Sequence, residues 1–467
     1  MIAIYSARWV LPIVSSAIEN GAVAIDGSKI LAVGGRAEVT SLFPDARVSD
    51  FGQAAILPGL VNAHSHLELT VMRGFLKNEE HDFAAWLRKL TKARMAMTDS
   101  DLLVSATCAA IEAVRAGVTC FGDSSSSAGE AMKALREVGL RGIVYQESFG
   151  PDPRLADENV ATLRKQIREL RGLESDLVRA GVSPHAPYTV SAPQLELISR
   201  LAIEERLPLM MHAAESHAEK QFMLEGRGVF ADGLKARGID WQAPELSTVA
   251  YLERHGILET RPLLAHCINV DDRDLELIKA HGAGIAHCPK SNAKLGHGRA
   301  PFAQFLAHGI NVGLGSDSVA SNNTCDILEE ARFATLLTRL DRGSSPRVGA
   351  LSVPPALAGG FGDGPNAKDA LLAATLGGAR ALRLGDQIGA LAEGMQADIA
   401  IVNLSGAHQQ PVRDPAEALI FCSSGRDVIL TLVAGNAIYS DNRMSHLDER
   451  LLQTRAEEIM KRLDAMV

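Results

Sequence analysis

Two histidines one residue apart, His64 and His66, close an apolar run at 57–63. On an extended strand this spacing points both imidazoles to one side, because side chains alternate with a period of two. Two neutral imidazoles aimed at one point are half of a divalent-metal site. Unrelated surface histidines can share the spacing, so further ligands must come from other segments. Several short apolar runs do end in such residues: Ser183-Pro184-His185, Met211-His212 with Glu215 close behind, Ala265-His266-Cys267, Ala286-His287-Cys288 and Gly315-Ser316-Asp317. Three histidines and a carboxylate around one ion, with a position left open, make a catalytic rather than a structural centre. Zn²⁺ is the default, and Fe²⁺ or Mn²⁺ suits the same donors. Such an ion lowers the pKa of a bound water from near 16 to roughly 7, which supplies a nucleophile at neutral pH. Glu215, three residues after His212, can take the water proton and pass it to a leaving group. His266 can hydrogen-bond the nucleophile or polarise the electrophile.

The elements that must position these residues follow from the hydrophobic pattern. Eight apolar runs recur at 55–62, 118–122, 141–145, 180–183, 207–211, 262–265, 283–286 and 311–315. Segments of helical periodicity lie between them, at 102–116, 129–138, 159–173, 192–205 and 272–280. Eight strand-then-helix units predict an α/β fold, a (β/α)8 TIM-type barrel spanning 55–387, whose active site lies at the C-terminal mouth. No G-x-G-x-x-G opens a helix, which argues against an open doubly wound sheet. A histidine or aspartate follows six of the eight runs, so the ligand candidates cluster at that mouth.

The flanks read differently. Residues 1–54 and 388–440 hold short alternating runs with turn signals, at 21–27, 29–34, 388–391, 397–402, 428–433 and 436–439. They predict one small β-sandwich-like domain made by both ends of the chain. Residues 441–467 include a charged amphipathic stretch at 447–460, read as a C-terminal helix, and the Gly- and Pro-rich 343–365 reads as a loop. The 467 residues, 46% hydrophobic and 22% charged, suit a soluble globular protein with a large domain and a smaller one. A net charge of −9 and 4% aromatic residues argue against nucleic acid or an anionic membrane as partner. Neither a signal peptide nor a transmembrane run is read, and six scattered cysteines without a Cys-x-x-Cys pair point to a reduced, cytoplasmic protein. A cysteine nucleophile at Cys267 or Cys288 is disfavoured, since strand neighbours face opposite ways.

Together, His64-Ser65-His66, His212 with Glu215, His266 and Gly315-Ser316-Asp317 resemble the amidohydrolase superfamily, and within it the mononuclear deaminase and chlorohydrolase branch. Supporting segments are 183–188, His287-Cys288-Pro289-Lys290-Ser291-Asn292 and Gly394-Met395-Gln396-Ala397-Asp398. The resemblance implies one divalent metal ion held by His64, His66, His212 and Asp317. Glu215 is then the general acid/base, His266 assists, and His185 faces the substrate, with Glu68, Trp86 and Asn292 as further substrate contacts. Binuclear relatives place a carboxylated lysine after the fourth strand, where this sequence has none.

The implied reaction is hydrolytic release of ammonia from an amino-substituted N-heterocycle, with C6 of an adenine nucleoside as the leading site. Methylthioadenosine and adenosylhomocysteine deaminases carry Trp-Leu followed by a ribose-binding glutamate. Trp86-Leu87 is present, but 88–98 contains no carboxylate. His64 to Thr70, with His81-Asp82-Phe83, looks more like the aminodeoxyfutalosine deaminases. An s-triazine chlorohydrolase or aminohydrolase and a cyclic amide hydrolase are the alternatives on the same site. A metal-binding scaffold without catalysis is the remote one, against which Glu215 and His266 speak. The partner is thus a small heterocyclic amine, and a homodimer is left open.

Overall fold

The computed structural model describes residues 1–344, 364–445 and 447–466. Five strands open the chain: β1 (Ala3–Val10), β2 (Ile18–Asp26), β3 (Lys29–Gly35), β4 (Arg47–Asp50) and β5 (Ala54–Pro58). Eight more carry the middle: β6 (Leu60–Ser65), β7 (Val118–Ser125), β8 (Arg141–Ser148), β9 (Val178–Pro184), β10 (Met210–Ala213), β11 (Leu263–His266), β12 (Gly284–His287) and β13 (Asn311–Leu314). Four close it: β14 (Ile399–Asn403), β15 (Val428–Val433), β16 (Asn436–Ser440) and β17 (Arg443–Met444).

The middle strands form two all-parallel sheets, β6-β7-β8-β9 and β10-β11-β12-β13, within a mixed α/β architecture. Single parallel bridges join their edges on both sides, Val182 with Leu209 and Ser65 with Asp317. Alternate residues of these strands pack on one another: Val61 and Ala63 of β6, Ile143 and Tyr145 of β8, Leu263 and Ala265 of β11. Leu382, Leu384 and Ile388 join that cluster. The opposite faces pack on helices such as Ala128–Val138, Ala156–Arg171 and Ala192–Glu204. Burial on both faces explains why these strands read as continuous apolar runs rather than alternating ones.

The two ends of the chain share one nine-stranded sheet, ordered β17-β16-β15-β14-β5-β1-β2-β3, with β4 paired to β1. The first long apolar run, read as one strand, is therefore two. It breaks at Gly59, where a Cβ would lie 2.1 Å from Thr119 Oγ1, so only glycine lets the chain leave one sheet for the other. Asp398 secures the junction: Arg141 of β8 pairs with its carboxylate through Nε at 2.9 Å and Nη2 at 3.2 Å, both side chains buried. Such a fully enclosed, bidentate pair orients two elements rather than adding much net stability.

The strand expected at 388–391 is a turn, passing Gly389 at φ +92° against Leu376. The terminal helix spans Glu449–Asp464 and packs Ile459 and Leu463 beside Leu102 of the helix Asp99–Arg115. The Arg115–Glu449 and Arg462–Asp101 ion pairs flank that contact. Apart from its ends, the glycine-rich loop 343–365 lies outside the described residues. No described helix is long and apolar enough to cross a membrane.

Candidate active site

The residues at the C-terminal ends of the parallel strands converge. His64 and His66 leave β6, His212 ends β10, His266 ends β11 and Asp317 follows β13. His66 Nε2 is 3.2 Å from His212 Nε2, and Asp317 Oδ1 lies 3.5 Å from His64 Nε2 and 3.6 Å from His66 Nε2. The ligand atoms of His64, His66 and Asp317 lie within 4.8 Å of one another, as do those of His64, His212 and His266.

This donor set fits a divalent cation. Among the described residues both buried ring nitrogens of His64 lack a hydrogen-bond partner, a costly arrangement unless a lone pair has something else to meet. His212 Nδ1 donates to the carbonyl of His185 at 2.9 Å, which leaves Nε2 as the lone-pair nitrogen facing the cluster. Burial pushes His64 down to about 4 and His212 well below the usual imidazole range, so both are neutral and ligand-competent. Burial alone would raise Asp317, but the imidazoles of His64, His266 and His66 hold it well below the usual carboxylate range.

Backbone strain marks the same positions. Ala214, His266 and Asp317 adopt φ of +53°, +73° and +56°, a region that non-glycine residues enter at a cost of roughly 1–3 kcal/mol. Buried groups hold these turns. Glu219 accepts from the backbone N–H of Ala214 at 2.8 Å and of Glu215 at 2.9 Å, and burial pushes it up to about 7. Asp123 accepts from Leu67 N and Ser65 Oγ just beside His66, and burial pushes it up to about 6. Gly315 permits the approach of β13, because a Cβ there would sit 2.9 Å from both His64 Cβ and Cys288 Sγ.

Glu215 and His266 stand together beside the cluster, His266 Nε2 lying 3.6 Å from Glu215 Oε1. His266 Nδ1 donates to Asn292 Oδ1 at 2.8 Å. With Nδ1 carrying that proton, Nε2 accepts a proton in the neutral ring and donates one once protonated. Asn292 therefore stands behind His266 and is not among the residues lining the cavity.

That cavity, about 490 Å³, opens over the cluster and is lined by His66, His212, Glu215, His266 and Asp317 at one end. Glu68, Trp86 and His185 line it as well, together with Phe83, Leu87, Leu90, Arg94 and Glu147. His185 is fixed by Thr189 Oγ1 at 2.9 Å and by Phe149, whose ring centroid is 4.7 Å away. His287 does not join the site; it is buried against Phe302. Cys267 and Cys288 are buried, and burial pushes both thiols up, which leaves no nucleophile there.

Sequence reasoning missed Asp123, Glu147, Glu219, Arg94 and His297. The His297 side chain is 6% exposed, with Nε2 3.6 Å from Glu215 Oε1 and its ring 4.5 Å from that of Phe83. Its position between Gly296 and Gly298, in a loop after the helix Pro289–Lys294, gave no strand-end signal. Asp123 and Glu147 had one: each lies within its strand, one and two residues past the end of an apolar run.

The amidohydrolase family model matches residues 55–438, and an imidazolonepropionase-like composite domain model from bacteria matches 21–46. A 5-methylthioadenosine/S-adenosylhomocysteine deaminase of Nitratidesulfovibrio vulgaris is 32% identical, over 95% of this chain and 93% of its own length. A 5'-deoxyadenosine deaminase of Methanothermobacter thermautotrophicus is 29% identical, over 94% and 98%. Among solved structures, a zinc-bound adenosine deaminase from Xanthomonas campestris superposes with a TM-score of 0.83 at 26% identity, covering 99% of this chain and 98% of its own. Every strand end that contributes to the cluster falls inside the matched span, and the chain belongs to the amidohydrolase family.

Proposed function

We propose that this protein is a metal-dependent aminohydrolase that removes the 6-amino group of an adenine nucleoside as ammonia. The observation that carries the reading is the convergence of His64, His66, His212 and Asp317 beside the Glu215–His266 pair, at the closed end of a nucleoside-sized cavity. The deaminase names of the relatives support the substrate class. Bridges on both sides of the two parallel sheets support the (β/α)8 barrel, with the composite β-domain of both chain ends beside it.

His64, His66, His212 and Asp317 would hold one divalent ion, with Zn²⁺ favoured by the imidazole-rich donor set and by the zinc-bound relative. When bound, such an ion acidifies water and stabilises charge that develops on an attacked carbon. Glu215 takes one proton of the attacking water on its carboxylate and delivers it to N1 of the purine, where it stays, while the second proton of that water passes to the 6-amino group, whose bond to C6 breaks to release ammonia. His266, held by Asn292, keeps Nε2 beside Glu215 and exchanges a proton with it or with the attacking water. His185 and Trp86 enclose the heterocycle and exclude bulk water.

The test is turnover by the metal-loaded enzyme of adenosine, 5'-deoxyadenosine, 5'-methylthioadenosine, S-adenosylhomocysteine, aminodeoxyfutalosine, chloro- and amino-s-triazines and cyclic amides. Ammonia from the nucleosides, with loss of their adenine absorbance, is the expected result. Halide or carboxylate as the principal product would overturn the reading.

A further inference from the structure

Two buried carboxylates line the cavity beside the ligand cluster, and their hydrogen-bond partners differ. Glu68 takes four donors: Arg94 Nε at 3.2 Å and Nη2 at 3.4 Å, and the backbone N–H groups of Ser126 at 3.2 Å and Ser127 at 3.0 Å. A carboxylate has about four lone-pair sites, so Glu68 is filled, and Arg94 balances its charge. Glu68 anchors the helix Phe83–Met95 to the strand ends and has nothing left to offer a ligand.

Glu147, at the end of β8, takes only two among the described residues. Ser126 Oγ donates to Oε2 at 2.7 Å and Ser124 Oγ to Oε1 at 3.4 Å, while His66 Nδ1 stays 3.9 Å away, beyond hydrogen-bond reach. About two lone-pair sites of a carboxylate only 5% exposed are thus unfilled. A buried polar group with unfilled capacity on a cavity wall calls for a donor from whatever occupies the cavity.

The chemistry of an adenine nucleoside limits which donor that can be. The base presents acceptors at N1, N3 and N7 and a single donor, the 6-amino group. For the reaction to occur that group must lie beside Glu215 and His266. Glu147 stands on the β8 side of the ligand cluster, where its carboxylate and ring nitrogens of His185 and His212 lie within 4.8 Å of one another, whereas Glu215 follows β10 and His266 ends β11. The remaining donors that adenosine, 5'-deoxyadenosine and 5'-methylthioadenosine share are the 2'- and 3'-hydroxyls of the sugar, two adjacent O–H groups that match the two oxygens of a carboxylate. We propose that Glu147 binds the ribose diol and selects ribonucleosides over 2'-deoxy and 3'-deoxy analogues. The assignment rests on the adenine-nucleoside reading above. It also places the sugar-binding carboxylate on β8, whereas the segment 88–98 after Trp86-Leu87 supplies none.

The experiment compares the metal-loaded wild type with Glu147→Gln and Glu147→Asp. It measures kcat/KM for adenosine, 2'-deoxyadenosine and 3'-deoxyadenosine, calorimetric binding of inosine and 2'-deoxyinosine, and metal content. The wild type should prefer adenosine over either deoxy analogue by roughly 10-fold or more, chiefly in KM, with a matching preference for inosine in binding. In Glu147→Gln the loss on adenosine should exceed the loss on 2'-deoxyadenosine by about 10-fold, at unchanged metal content, and Glu147→Asp should restore part of the preference. Unchanged discrimination in Glu147→Gln would overturn the proposal while leaving the deaminase reading intact. So would an equal loss on all three substrates accompanied by metal loss, which would mark Glu147 as a support for His66 only. A second bound metal that disappears in Glu147→Gln would overturn it too, since Glu147, His185 and His212 could then be sharing a cation. No turnover and no inosine binding by the wild type would instead defeat the nucleoside reading and this proposal with it.

Discussion

At the inner end of the cavity the ligand candidates sit at the ends of β-strands, whereas the outer wall is carried by one helix, Phe83–Met95. The inner group, from His64 to Asp317, inherits its spacing from parallel sheet register, and buried carboxylates brace the turns that follow the strands. The outer group, Phe83, Trp86, Leu87 and Leu90, belongs to an excursion between β6 and the helix Asp99–Arg115. Side-chain pairs tie it down, Glu68 with Arg94 and Glu80 with Lys294. On the proposed reading the strand ends carry the reacting groups and the helix carries apolar contacts to the substrate. Strand ends hold reacting groups to within a few tenths of an ångström, and a helix outside the sheets can change its side chains without moving them.

The largest effect should come from the inner end. Replacing His64 or Asp317 with alanine should abolish metal binding by elemental analysis and lower turnover by roughly 10³-fold or more. Full metal content in either variant would break the division at its root, because the strand ends would then not be the ligands. Glu215→Gln should keep the metal and lower kcat by about 10²–10⁴-fold, the range for a lost general acid/base. Near-normal turnover in that variant would move the proton chemistry elsewhere, with His266 and His297, each 3.6 Å from Glu215 Oε1, as the candidates.

The same division decides how much was legible in the sequence. His64, His66, His212, His266 and Asp317 each follow an apolar run, so the change from apolar to titratable residues announced them. β7 and β8 were read short, ending at Gly122 and Tyr145, because their last residues, Asp123-Ser124-Ser125 and Gln146-Glu147-Ser148, are polar yet fully within the strands. A polar strand end buried in a site looks like a loop until the sheet is seen, which is how Asp123 and Glu147 were lost. The split at Gly59 and the Arg141–Asp398 pair depend on contacts between distant segments, to which hydrophobic periodicity is blind. Glu68 was visible as a polar residue near the site. That Arg94 and two backbone N–H groups fill it could not be read from its neighbours in the chain.

On the outer wall the expected effects are smaller and of another kind. Leu87→Ala removes apolar contact from a half-buried side chain that faces the cavity. It should raise KM by roughly 5–10-fold and leave kcat within about 3-fold, the pattern of lost uniform binding. A fall in kcat at unchanged KM would show that the helix Phe83–Met95 shapes the reacting geometry, and the contrast between the two ends would fail.

The smallest effect concerns stability, and it too should arise behind the inner end. Glu330 is fully buried, accepts from Asn322 Nδ2 at 2.6 Å, and through Asn322, which also donates to the carbonyl of Ser316, braces the turn that carries Asp317. Burial pushes its carboxyl up to about 8 from 4.5. Between those values the folded chain keeps a proton that the unfolded chain has released, so rising pH favours unfolding. The stabilising contribution is complete below about 4.5 and is lost as pH rises through about 8. With metal held saturating, the wild-type Tm should therefore fall between pH 6 and pH 9. Glu330→Gln, which still accepts from Asn322 but cannot ionise, should show a shallower fall. Glu219, pushed up to about 7, remains in that variant, so the residual slope should shift toward the acidic part of the range. Parallel Tm profiles in the two proteins would mean that Glu330 ionises freely in the fold, and the strand ends would then owe none of their pH sensitivity to it.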